Sequence, residues 1–172
     1  TGEIPAVDKI FGPGNQYVTA AKKMAQNYGV AIDMPAGPSE VLVYGDETSV
    51  PAFLAADLLA QAEHGPDSQV ILVVKSEQKV KETLVELHKQ LENLPRKQIV
   101  LQALVHSKAI IISAMREAFD FINLYAPEHL IIASETPEIY VPLIRNAGSV
   151  FLGNYCPESA GDYASGTNHT LP

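Results

Sequence analysis

VLVYGDETSVPAFLAADLLAQAEHGPDSQVILVV occupies residues 41–74. Val41–Gly45 and Val70–Val74 are near-continuous apolar runs, the composition of strands buried on both faces. Between them, Pro51–His64 carries Leu54 and Leu58 at helical spacing behind a proline suited to the first turn. Strand, helix and strand in that order predict parallel sheet flanked by helices. The alternation continues outward in both directions. Strands are expected at Val30–Met34, Ala109–Ser113, Leu130–Ala133 and Ser149–Leu152, and helices at about Gln16–Asn27, Glu77–Leu94, Met115–Leu124 and Pro137–Ala147. In the Glu77–Leu94 helix, Val80, Leu84, Leu87, Leu91 and Leu94 form the stripe and Pro95 ends it. The punctuated segment Pro35-Ala36-Gly37-Pro38-Ser39 separates a first lobe from a second. The fold class is α/β.

A chain of 172 residues with 47% hydrophobic composition can build a core. Twelve basic against twenty acidic residues give a net charge of -8, and no basic run offers the counterion-releasing surface that phosphate backbones require. Nucleic acid is therefore not an expected partner. The single cysteine, Cys156, excludes an internal disulfide and a four-cysteine zinc site, and a reducing, cytoplasmic setting follows as the expectation. No apolar stretch approaches the roughly 18 to 20 residues that a membrane crossing needs. The chain opens on Thr1 and stops at Pro172, and reads as a piece of something longer.

On the Pro51–His64 helix, the next position of the Leu54–Leu58 stripe is Gln61, a polar amide where a core residue belongs, and His64 follows at i+3. Gln-x-x-His is a possible two-ligand metal clip, although glutamine is an uncommon zinc ligand. A structural reading of the bare pattern has Gln61 hydrogen-bonded to a loop and His64 capping the helix. Glu128 and His129 place two proton carriers before the strand at Leu130. Neighbours in a strand face opposite ways, so they share a site only if Glu128 lies in the loop. The plainer alternative is a surface glutamate beside a half-buried histidine. In the Gly-punctuated tail 157–169, Asp162 can offer a hard oxygen to a metal and His169 a donor to a substrate, while Asp and Gly also make ordinary turns. Gly12-Pro13-Gly14-Asn15 is half a dinucleotide fingerprint, with Tyr17 at the third glycine position and no clear strand before it. His88 and His106 read as surface or packing residues, and Cys156 as unreactive.

Five blocks in order closely resemble the histidinol dehydrogenase family: Phe11–Asn15, Ile32–Glu40, Gln61–Gln69, Ala126–Leu130 and Ser159–His169. The resemblance covers nearly the whole chain. It implies zinc-dependent, four-electron oxidation of L-histidinol through L-histidinal to L-histidine with two NAD, the last step of histidine biosynthesis. By the same resemblance Gln61, His64 and Asp162 bind zinc and, through it, substrate. His129 takes the alcohol proton, Glu128 activates water, Ser39 and His169 meet substrate, and Asn15 meets NAD. The fold implied is a pair of incomplete Rossmann-like lobes, residues 1–39 being the later part of the NAD-side lobe and 40–172 the later part of the zinc and substrate lobe. The family's enzymes are homodimers about two and a half times longer. Their C-terminal arm brings a fourth zinc ligand and a substrate glutamate to the partner's site, and neither has a counterpart in this sequence. The isolated chain is accordingly expected to bind zinc weakly and turn over poorly or not at all. Two other readings use the same residues: a metal-dependent hydrolase with Glu128 as base, and a metal-free α/β binding module.

Overall fold

Val41 and Val43 belong to one apolar cluster, and Leu42 and Tyr44 to another. Alternate side chains of a strand leave by opposite faces, so a run apolar at every position has to be covered on both sides. The computed structural model describes residues 5–12, 16–33 and 39–163, with residues 162 and 163 described by backbone alone. These form two compact units, one within residues 5–33 and one within 39–163.

In the first unit, β1 (Lys9–Ile10) and β2 (Ala31–Ile32) pair in parallel with α1 (Gln16–Gln26) between them. A strand does therefore precede the Gly12 turn, contrary to the sequence reading; at two residues it is too short to show as an apolar run. Lys22 pairs with Asp33 and donates to the Gly12 carbonyl (2.8 Å), while the Asp33 carboxylate accepts from the Gly12 N–H (2.8 Å). The hydrogen bond from Lys22 holds the Asp33 carboxyl below the ordinary carboxylate range.

The second unit is a five-stranded, wholly parallel sheet of β3 (Glu40–Gly45), β4 (Gln69–Val74), β5 (Lys108–Ile111), β6 (His129–Ala133) and β7 (Ser149–Leu152), in the order β5-β4-β3-β6-β7. One face is covered by α2 (Pro51–Ala62), α3 (Glu77–Leu91) and α4 (Lys97–Leu104), through Leu54, Leu58, Leu87, Leu91 and Val100. The other is covered by α5 (Met115–Tyr125), through Ala118, Phe119 and Ile122, with Tyr140 beside it. The chain changes face and direction of winding between β3 and β6, the switch point of a Rossmann-like half sheet. The expected α/β class is the observed one.

Three element readings change. The single helix expected over 137–147 is two short 3-10 turns, Pro137–Ile139 and Val141–Leu143, because Pro142 lacks an N–H and its ring crowds the preceding turn. The helix expected to reach Leu94 stops at Leu91, and its inward stripe uses Thr83 while Leu84 stays exposed. Beyond Pro95 lies α4, a two-turn helix whose Val100 and Ala103 are too few to stand out as a period. At the carboxyl end of β3, burial would raise the Asp46 carboxyl, but hydrogen bonds from Ser134, Thr48 and Tyr140 outweigh it and hold the group below its usual range. Among the described residues no helix is long and apolar enough to cross a membrane.

Candidate functional site

Parallel strands start together, and the helices between them run back to the same edge. Gln69 of β4 lies opposite Glu40 of β3, and His129 of β6 opposite Val41. At this amino edge α2 delivers Gln61 and His64, and α5 ends at Tyr125. Open α/β sheets ordinarily bind ligands beyond the carboxyl ends of their strands. Here the chemistry-bearing residues gather at the opposite edge, where helices present C-terminal carbonyls with partial negative charge. Such an edge favours a cation and disfavours a phosphate.

Gln61 is fully buried, and among the described residues neither its Oε1 nor its Nε2 finds a hydrogen-bond partner. The loop partner offered by the structural reading is absent among them. An unpaired buried polar group costs about 1–3 kcal/mol, so this amide is retained against a penalty that a ligand would remove. His64 lies just past the helix end with its side chain half exposed, and its Nε2 is 3.9 Å from Glu158 Oε1.

Glu128 lies outside β6 and His129 is its first residue, so the two can share a site as the sequence required. His129 Nδ1 is 3.2 Å from the Glu40 carbonyl. A carbonyl only accepts, so Nδ1 carries the hydrogen and Nε2 keeps the lone pair. The same Nδ1 is 3.8 Å from Glu128 Oε2 and 4.0 Å from Glu158 Oε1. Glu128 Oε2 accepts from the Glu40 N–H at 3.3 Å and from the Ser39 hydroxyl at 3.5 Å. Behind the pair, β7 enters tightly. Gly148 N–H donates to the Pro127 carbonyl (3.0 Å) and Ser149 N–H to the Glu128 carbonyl (2.8 Å). A Cβ on Gly148 would fall 2.6 Å from that Glu128 oxygen.

Ser39, Gln61, His64, Glu128 and His129 thus lie at the same edge of one unit, with Ser39 joined to Glu128, and His64 and His129 both facing Glu158. Asn15 and His169 lie outside the described residues. Asp162 is placed only by its backbone on α6 (Ser159–Tyr163), immediately after Glu158. Among the described residues no group of three or more His, Cys, Asp or Glu is arranged to hold a metal. His88 and His106 are exposed, the His106 carbonyl accepting from Gln69 Nε2 at the rim of this edge, and half-buried Cys156 packs against the apolar core.

Glu158 was not singled out in the sequence, yet it is 6% exposed and faces both site histidines. It arrives because the chain after β7 doubles back along α2: the Tyr155 ring packs on Phe53 near the helix start (centroids 5.3 Å apart), and Glu158 reaches His64 at its end. The one signal available was an acid standing alone in the otherwise uncharged stretch 153–158.

The sequence model of the histidinol dehydrogenase family matches residues 1–172. The histidinol dehydrogenase of Blochmanniella floridana is 55% identical over 174 aligned residues, and that of Bacteroides thetaiotaomicron 56% over 172. In both cases the match covers 100% of this chain and 40% of the relative. The crystal structure of histidinol dehydrogenase from Elizabethkingia anophelis superposes with a TM-score of 0.92 at 63% identity, covering 98% of this chain and 39% of that one. A gamma-glutamyl phosphate reductase from Thermotoga maritima shares the fold alone, at a TM-score of 0.56 and 16% identity. A family model that matches from the first residue to the last, and a solved member 63% identical that superposes over nearly the whole chain, place the chain in the histidinol dehydrogenase family, and it spans about two-fifths of the length of the members named above.

Proposed function

We propose that this chain supplies the zinc and substrate side of a histidinol dehydrogenase active site, oxidising L-histidinol through L-histidinal to L-histidine in the last step of histidine biosynthesis. The observation that carries the reading is the buried, unpaired amide of Gln61 beside His64, at a cation-favouring edge shared with Glu128 and His129. The donor set suits zinc: one amide oxygen, one imidazole and, from the sequence, the Asp162 carboxylate. Zinc, when bound, supplies a positive centre for the substrate's nitrogen atoms, and NAD, when bound, takes up each hydride. His129, with Nδ1–H held by the Glu40 carbonyl, accepts the alcohol proton at Nε2 in the first oxidation. Glu128 removes a proton from the water that attacks the aldehyde before the second. Ser39, within reach of Glu128, and His169 contact substrate, and Asn15 contacts NAD. Residues 1–39 then belong to the NAD side and 40–172 to the zinc side of a cytoplasmic homodimer.

The test is absorbance of NADH with L-histidinol, NAD and zinc. The complete gene product should form two NADH per histidine released, and the 172-residue chain alone little or none. Histidinol left unoxidised by the complete product, or a zinc-dependent hydrolysis without NADH, contradicts the reading.

A further inference from the structure

Between α5 and β6 the chain makes a turn that it would not hold unaided. Ala126 is left-handed (φ 54°, ψ 61°), the only non-glycine with positive φ among the described residues. Such a conformation is unfavourable for a residue that carries a Cβ. Pro127, with no N–H to donate, follows, and then the acid/base pair. Both ends of this turn are gripped by one carboxylate. Glu40 Oε1 accepts from the Glu128 N–H at 3.3 Å, and Glu40 Oε2 accepts from the Tyr125 hydroxyl at 3.0 Å. Tyr125 has one hydrogen and a second acceptor, Gln69 Oε1 at 2.6 Å, and Gln69 Nε2 donates on to the His106 carbonyl at 3.1 Å. Burial, then the neighbouring Glu40 charge, push the Tyr125 hydroxyl well above its usual range, so it stays a donor. The backbone of the same Glu40 holds the side chains themselves, its N–H on Glu128 Oε2 and its carbonyl on His129 Nδ1.

We propose that Glu40 is the positioning residue of the Glu128–His129 pair, its carboxylate stapling Tyr125 to Glu128 across the left-handed turn so that its own backbone can orient both side chains. This rests on the acid/base roles given above. Misplacement of a reacting group by about 1 Å can cost 100-fold in rate. In the complete gene product, Glu40→Ala should lower kcat by about 10- to 100-fold while KM for histidinol and zinc content change less than about threefold. Glu40→Gln should recover kcat to within about threefold of the unsubstituted protein, because its Oε1 still accepts from Glu128 and its amide N–H can donate to the Tyr125 oxygen. Tyr125→Phe, which removes one bond of the staple, should fall between them and carries the test if Glu40→Ala does not fold. Hydrogen exchange at the Glu128 amide should quicken at least tenfold in Glu40→Ala and stay slow in Glu40→Gln. A kcat within twofold of normal in Glu40→Ala, or a parallel loss of kcat, substrate binding and zinc, overturns the positioning role alone. Failure of the unsubstituted protein to oxidise histidinol overturns the function first and this role with it.

Discussion

Gln61 occupies a position that local sequence assigns to the core, on the stripe of Leu54 and Leu58, and the structure buries it completely. Its legibility came from that conflict: a polar residue at an apolar helical position is either paired or used. Glu128 and His129 were legible for a similar reason, two proton carriers abutting a strand start. Glu158 was not, because nothing local to residues 157–159 reports that the chain turns back along α2 and drives a carboxylate against His64 and His129. Burial of that kind is a tertiary outcome with no period to betray it. If the Gln61 amide is kept for a ligand, Gln61→Leu should raise the zinc-free stability of the protein by about 1–3 kcal/mol in urea denaturation, since the unpaired groups disappear at nearly constant volume. Loss of stability in that variant would mean the amide has a structural partner.

At the scale of elements, the strands were readable because both faces of each central one are covered, leaving no polar alternation to mislead. Elements failed where they are short or broken by chemistry. β1 has two residues, α4 two turns, and Pro142 divides what looked like one helix. What no pattern predicted is the closeness of β7 to the turn before β6. Gly148 is required there because a side chain would overlap the Glu128 carbonyl at 2.6 Å, and that oxygen also anchors Ser149. Backbone cannot yield as a flexible side chain can. Gly148→Ala should therefore cost about 1–3 kcal/mol, seen as a lower denaturation midpoint, and should reduce turnover of the complete gene product more than any change in substrate binding. An unchanged midpoint and rate would show that the turn carrying Glu128 adjusts freely.

For the molecule as a whole, the direction of the sheet organises the chemistry. Every strand of the larger unit is parallel, so strand starts and helix ends lie at one edge, and the carboxylates of Glu40, Glu128 and Glu158 gather where helix dipoles are already negative. That asymmetry sets the proposed cation site at this edge apart from the helix starts at the other, whose free N–H groups suit anions, and the fold class alone, though legible from residues 41–74, does not reveal which edge is used. The decisive measurement is anomalous scattering at the zinc edge from crystals of the complete gene product grown with the metal. A zinc site held by α2 should give a peak within about 2.0–2.2 Å of Gln61 Oε1 and His64 Nε2. A fully soaked crystal with no density at that edge, or with zinc bound elsewhere while the Gln61 amide stays buried and unpaired, would contradict it.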